Sequence, residues 1–293
     1  MTDSNDQFHA WDILKPRPGK FTGIHRAVKG LGRVALSSFG DTGSIGLMLQ
    51  QQAERNPMHP ALLFENRRYS YHEFNCEANR YAHMLKAEGV AHGDVVTVFM
   101  ENRPETLFAV AGIVKLGAIA SMINTKQRDQ ALIHSLTISE TRRVLVGSEL
   151  LEAFEEVRKD ADLHRDEKVL FVADGDAQIP ATGYKDSAAL LSGQPDRNLA
   201  QTETISKSDP CYYIFTSGTT GLPKASIMSH KRWIAGGAGL GLGGLRLSKD
   251  DVFYCSLPLY HNNALTVSWS SAVNSGCTLA LSRKFSVSNF WDE

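Results

Sequence analysis

The sequence predicts an α/β fold in which mostly parallel sheets are layered against crossover helices. From residue 60 onward, short runs rich in Val, Ile, Leu and Phe alternate with helix-length stretches whose apolar residues fall three and four apart. The 293 residues, 42% hydrophobic and 22% charged, suffice for a large buried core. No uninterrupted apolar stretch approaches the roughly 20 residues of a membrane span.

Residues 1–20 are polar and carry Pro16 and Pro18, and read as a loosely ordered leader. In 21–39, Phe21, Ile24, Val28, Leu31, Ala35 and Phe39 recur at helical spacing while Lys20, Arg26, Lys29 and Arg33 fall elsewhere. Such a basic amphipathic helix either lies on an anionic membrane surface or packs on the body of the domain. Gly23, Gly30 and Gly32 weaken it as a helix. "ALLFENRRYSY" reads as a hairpin turning at Glu65-Asn66. Ser70 and Glu73 have capping-box spacing, and Phe74, Ala78, Tyr81 and Leu85 form one face of a helix ended by Gly89.

"VVTVFM" (95–100) is a short strand, "PETLFAVAGIVKLG" a helix opened by Pro104, and "AIASMIN" another strand. A helix over about 127–138, the strand "RRVLVG", a helix near 148–158 and the strand "KVLFVA" (168–173) continue the alternation. Residues 174–209 lose periodicity and read as a long connection, after which "YYIFTS" and "VFYCSLP" are buried-type strands.

Formal net charge is −1, so no global field points to nucleic acid. Cys76, Cys211, Cys255 and Cys277 form no CxxC pair, and the pattern suits a reducing cytoplasm. No signal-peptide pattern follows Met1. The expected location is cytoplasmic, with peripheral membrane contact through residues 20–39 as the variant to test. The sequence does not disclose an oligomeric state.

The stretch "YYIFTSGTTGLPKASIMSH" (212–230) places a loop directly behind an apolar strand, where open α/β sheets present ligand-binding loops. Gly218 and Gly221 let the main chain approach a ligand closely. Successive backbone N–H groups can converge on an anion, while Thr216, Ser217, Thr219 and Thr220 add hydroxyls and Lys224 a positive charge. These parts suit a polyphosphate. They do not form a Walker A loop, because Pro223 precedes the lysine and Ala225 follows it. The residues alone leave a plain turn-rich surface loop open.

"FTSGTTGLPK" resembles the phosphate-binding signature of the adenylate-forming superfamily, which includes acyl-CoA synthetases, luciferases and peptide-synthetase adenylation domains. "YSYHEFNCEANRYAHML", "GIVKLGAIASMINTKQRDQALIHSL" and "SLPLYHNNA" are similar to further motifs of that family in order and spacing. With the closing "RKFSVSNFWDE", the pattern is most similar to the very-long-chain acyl-CoA synthetase and fatty-acid-transport-protein branch. The resemblance covers about residues 45–293, read as the N-terminal part of an AMP-binding domain, with residues 1–44 as leader and basic amphipathic segment.

The resemblance implies a two-step ligase. A carboxylate attacks the α-phosphate of ATP to give acyl-adenylate and pyrophosphate, and the thiol of coenzyme A then displaces AMP. It implies that Thr216, Ser217, Gly218, Thr219, Thr220, Gly221 and Lys224 hold the β- and γ-phosphates, with Thr216 the protein oxygen near Mg²⁺. It implies that His261 sits near the reacting carboxylate. Tyr260 reads equally as a wall of the acyl tunnel or as core. His230 reads as structural and Trp233 as a packed aromatic.

Family members also carry a Tyr-Gly-x-Thr-Glu segment, a ribose-gripping Asp, and a small C-terminal domain with a catalytic lysine. None is matched here, so the 293 residues alone are expected to lack synthetase activity. The expected function is activation of a long- or very-long-chain fatty acid. The alternatives are a CoA or acyl-AMP ligase for a carnitine-like or bile-acid-like acid, and a non-catalytic nucleotide-binding module. "GLGLGG" (239–244) satisfies G-x-G-x-x-G but follows no clear strand, so it is set aside as a dinucleotide site.

Overall fold

The computed structural model describes residues 27, 28, 30–32, 34, 35, 41–216 and 221–288. After the described part of the first helical segment come α1 (Ile45–Arg55), β1 (Pro60–Phe64), β2 (Arg67–Ser70), α2 (Tyr71–Ala87), β3 (Val95–Phe99), α3 (Pro104–Lys115) and β4 (Ile119–Met122). There follow α4 (Asp129–Ile138), β5 (Arg143–Gly147), α5 (Leu151–Val157), β6 (Val169–Val172), β7 (Lys185–Asp186) and α6 (Ser187–Leu191). The remainder is β8 (Pro210–Thr216), β9 (Lys224–Ser229), α7 (His230–Gly237), β10 (Val252–Cys255), α8 (Ser270–Ser275) and β11 (Thr278–Leu281).

The strands form a seven-stranded sheet, β7-β6-β5-β3-β4-β8-β9, and a four-stranded sheet, β10-β11-β1-β2. Pairing is parallel throughout except for the β1–β2 and β8–β9 hairpins. The period of two along each strand sets the layers. Val96, Val98, Leu145, Leu170, Tyr212 and Ile214 face one core, while Phe99, Val144, Val146, Val169, Phe171 and Phe215 face the other. A parallel sheet covered on both faces needs strands that are mostly apolar on both sides, and here Thr97 and Ser121 are the buried polar exceptions in β3 and β4. Helix α3 is buried on nearly all sides and lies in the core shared with α2 and the smaller sheet.

Local signals were translated directly. The first hairpin turns at Glu65-Asn66, with Phe64 opposite Arg67. Ser70 Oγ accepts from the Glu73 N–H at 3.2 Å, and the Glu73 carboxylate accepts from the Ser70 N–H at 2.8 Å. That closed box starts α2 where the spacing predicted. Phe74, Ala78, Tyr81 and Leu85 are all buried.

Two expectations need correction. The stretch 174–209 is not a featureless connection: it contributes β7, α6 and a short 3₁₀ turn at Ala200–Thr204, elements too brief for periodicity to reveal. The strand in "VFYCSLP" is not of buried type. It is β10, at the edge of the smaller sheet, and Val252 is 59% exposed. The segment after the glycine loop, "KASIMS", forms the edge strand β9, whose first residues are exposed and so carry no apolar alternation.

Residues 27, 28, 30–32, 34 and 35 are helical. Gly30 is buried, and a Cβ there would lie 2.6 Å from the Gly243 nitrogen, so this segment packs on the body. Val28 and Leu31 of the expected apolar face point outward, 63% and 66% exposed. Phe21, Ile24 and Phe39 lie outside the described residues, as does the leader.

Candidate functional site

In a parallel sheet the loops at the carboxyl ends of the strands share one rim, and ligands bind there. Here β4 lies between β3 and β8, so the loops following these three strands are neighbours.

Thr216 ends β8 and is the register partner of Lys224, which begins β9. Thr216 and Lys224 are therefore the last pair of an antiparallel hairpin at the sheet rim. Thr216 Oγ1 donates to the Lys224 carbonyl at 3.5 Å, and both residues are exposed. Gly221 has φ +89°, a backbone conformation that a side chain would strain. Ser217, Gly218, Thr219 and Thr220 lie outside the described residues.

The exit arm of this hairpin loop is held by a residue that the sequence did not single out. His134 on α4 makes a 3.1 Å hydrogen bond between Nε2 and the Pro223 carbonyl. A carbonyl oxygen only accepts, so Nε2 carries the proton. The two residues are far apart in the chain, and no local pattern announces the contact.

His261 belongs to the loop after β10. Its N–H donates to the Pro258 carbonyl at 2.9 Å, and its own carbonyl accepts from Ala264 at 3.1 Å, opening the π-helical turn Asn263–Trp269. The His261 side chain is exposed, with its ring 4.5 Å from that of Tyr260. Tyr260 is buried at 8% exposure. Burial raises its phenol pKa, the neighbouring Thr125 hydroxyl opposes that rise, and Glu101 and Lys126 act through their charges. Tyr260 therefore stands over the ends of β3 and β4. The structure thus brings Thr216 and Lys224 together and puts Tyr260 and His261 farther along the same rim.

The loop after β3 ties these parts down. The Asn102 side chain bonds to the loops after β10 and β11. Arg103 is fully buried, with its guanidinium donating to the Val172 carbonyl at 2.8 Å and to the Ala173 carbonyl. It lies 3.6 Å from Glu149 and 3.8 Å from Asp174. Asp174 also accepts from Arg283, and Arg283 from β11's exit reaches Glu65 at 3.0 Å. Although burial works against it, the net effect of the Arg283 and Arg103 charges keeps the Asp174 carboxyl below its ordinary range. Neither residue had a sequence signal beyond its place after a strand.

His230 and Trp233 are structural, as expected. His230 is fully buried, its Nδ1 accepts from the Ile45 N–H at 3.2 Å, and burial lowers its pKa to about 4. Trp233 donates Nε1–H to the Leu265 carbonyl at 2.8 Å and meets Trp269 edge-on at 5.5 Å. The glycine run continues α7 as the π-helical segment Ala238–Gly244. A Cβ on Gly237 or Gly241 would collide with Ser270 or Ser271 of α8, so these glycines serve helix packing.

Residues 49–292 match the family model described as AMP-binding enzyme. Medium/long-chain-fatty-acid–CoA ligase FadD6 of Mycobacterium tuberculosis is 41% identical over 250 residues, which is 85% of this chain and 40% of that protein. Long-chain fatty acid transport protein 6 of Homo sapiens is 31% identical over 274 residues, 89% of this chain and 42% of that protein. The inhibitor-bound N-terminal domain of FACL13 from Mycobacterium tuberculosis superposes with a TM-score of 0.72 at 26% identity, covering 85% of this chain and 59% of that one. The anthranilate CoA ligase AuaEII, solved with anthranoyl-AMP, shares the fold with a TM-score of 0.74 at 24% identity over 84% of this chain and 46% of that one. The chain thus spans about two fifths of the length of these curated relatives.

Proposed function

The chain belongs to the AMP-binding enzyme family, and from that premise we propose that it supplies part of an ATP-dependent ligase activating a long- or very-long-chain fatty acid. The observation that carries this reading is the Thr216–Lys224 hairpin on the same strand-end rim as the His261 loop. A polyphosphate and a carboxylate repel, so bringing them together calls for donors and cations held in place beforehand. In this reading Lys224 and the hydroxyls of Thr216, Ser217, Thr219 and Thr220 hold the phosphates, with Gly218 and Gly221 leaving room for backbone approach. His134 keeps the exit arm of the hairpin in position through Pro223.

His261 offers a ring N–H to one oxygen of the acid, leaving the other to attack the α-phosphate. The new acid–phosphorus bond forms as the bond to pyrophosphate breaks. In the second step the thiol of coenzyme A loses its proton to solvent, its sulfur bonds to the acyl carbon, and the bond from that carbon to the AMP oxygen breaks. The exposed Thr216 hydroxyl is an oxygen donor of the kind Mg²⁺ accepts. Among the described residues no group of three or more His, Cys, Asp or Glu could hold a metal unaided. Thr216 therefore fits a Mg²⁺ that arrives with the nucleotide, and such an ion would offset phosphate charge.

The test is Lys224→Ala in a polypeptide of the relatives' length that contains these residues. The KM for ATP should rise about tenfold, the loss of one charge-assisted contact. An unchanged rate at limiting ATP rules out the phosphate role. A panel of acids, with AMP release followed with and without coenzyme A, identifies the carboxylic acid and the acceptor.

Among the described residues no helix is long and apolar enough to cross a membrane. The outward Val28 and Leu31 support a peripheral contact. Replacing both with Glu should reduce co-sedimentation with vesicles of anionic lipid, and equal binding by both forms counts against the contact.

A further inference from the structure

Asn102 is 3% exposed, and three of the four hydrogen bonds its amide can make run between the two sheets. Its Oδ1 accepts from the Leu259 N–H at 2.8 Å, and its Nδ2 donates to the carbonyls of Leu257 at 2.9 Å and Ser282 at 3.0 Å. One side chain on the exit of β3 thereby grips the loop after β10 at two points and the loop after β11 at a third. Tyr260 and His261 follow Leu259 directly in the gripped loop.

We infer that Asn102 is the positioning residue for the acid side of the site, fixing the loop of Tyr260 and His261 to the carboxyl end of β3. This rests on the ligase reading for its catalytic consequence, and on the hydrogen bonds alone for its structural one.

The anchor end is rigid for a separate reason. Arg103, the next residue, is locked to the carbonyls of Val172 and Ala173 at the end of β6 and lies between Glu149 and Asp174. At the clamped end the chain leaves β10 beyond Cys255 and pairs with no strand until β11, so the backbone of Leu257 and Leu259 has the Asn102 amide, not a strand, as its partner. Without Asn102, two carbonyls and one N–H at the sheet junction lose that partner, and the His261 loop is less tightly fixed to the end of β3. A reacting group displaced by about 1 Å can lose about a hundredfold in rate, so a clamp of this kind affects chemistry without touching substrate.

Two measurements test it. In the 293-residue chain, Asn102→Ala should accelerate hydrogen exchange of the Leu259 amide at least tenfold, with the central amides of β3 unchanged. The central amides of β3 are the control for a general loss of stability. Unchanged Leu259 exchange in Asn102→Ala overturns the positioning role. Loss of protection that spreads equally to β3 also overturns it, because general destabilisation would then be the cause.

In a polypeptide of the relatives' length, Asn102→Ala should lower kcat/KM for the acid by about a hundredfold while KM for ATP stays within about twofold. A parallel rise in KM for ATP overturns the assignment to the acid side. If the unsubstituted protein forms no acyl-adenylate at all, the ligase reading fails, while the exchange experiment still decides whether Asn102 holds the loop.

Discussion

Lys115→Met is expected to raise the free energy of unfolding by on the order of 4 kcal/mol near neutral pH, since each pKa unit is worth about 1.4 kcal/mol, with the gain shrinking as pH rises toward 10. Lys115 ends α3 with its side chain fully buried and its Nζ without a hydrogen-bond partner among the described residues. α1 passes so closely that a Cβ on Gly46 would lie 2.7 Å from the lysine Cγ. Burial lowers the pKa to about 7, against weak opposition from Cys76 on α2 and Glu54 on α1.

The unfolded chain therefore binds more protons than the folded one between about pH 7 and the ordinary lysine value of 10.5. Stability must rise with pH through that window. Below it the cost of a buried charge is paid in full, and methionine, of similar length and without charge, removes it. Denaturant unfolding of both proteins at pH 6, 8 and 10 measures the difference. A difference that does not change with pH shows that the amine is hydrated or paired.

Gly237→Val is expected to cost about 3 kcal/mol or more, at or beyond the upper end of overpacking effects. A Cβ at Gly237 would fall 2.0 Å from Ser270 Oγ and 2.5 Å from the Ser270 carbonyl carbon and oxygen. The backbone atoms cannot rotate away as a flexible side chain can, so α7 and α8 must part. Separation loosens the edge contact of Trp233 with Trp269 at 5.5 Å and the bond from Trp233 to the Leu265 carbonyl. Thermal melts with near-ultraviolet circular dichroism report both effects. Gly193→Ala is the control, because its Cβ meets nothing within 4 Å, and it should be neutral within about 0.5 kcal/mol. A Gly237→Val melting temperature within two or three degrees of the parent would refute the packing role of the glycine run.

The glycine run also shows why parts of the molecule were hard to read. "GLGLGG" has the spacing of a nucleotide fingerprint, but what a glycine is for depends on what stands opposite it. Here that is Ser270 and Ser271, close in space and remote in sequence. The hairpin arms of β9 and the edge strand β10 were obscure for another reason. Edge strands are half solvated, so their residues need not alternate. By contrast, β3, β4, β5 and β6 are covered on both faces and are written mostly with apolar residues, Thr97, Ser121 and Arg143 apart. Burial forces composition, and composition is visible.

At the proposed site, the stretch Thr216–Lys224 and His261 could be singled out from the sequence because glycines, hydroxyls and a cation crowd into one short segment and a motif. Their supports were not legible. Asn102, Arg103 and His134 are ordinary residues in the chain, and each matters through one or more hydrogen bonds to carbonyls that lie 69 or more positions away.

By itself, the sequence determined the alternation of strands and helices, the capping box at Ser70 and Glu73, and the place of the glycine- and threonine-rich stretch behind β8. These depend on near neighbours in the chain, where periodicity and dihedral preference act. Only the tertiary structure decided that β4 separates β8 from β3 on one rim, that Asn102 bonds to the loop before His261, and that the Lys115 amine is buried in the core with no hydrogen-bond partner among the described residues. Those outcomes depend on which distant segments meet, and the solvation and pairing of a group are properties of that meeting rather than of the residue.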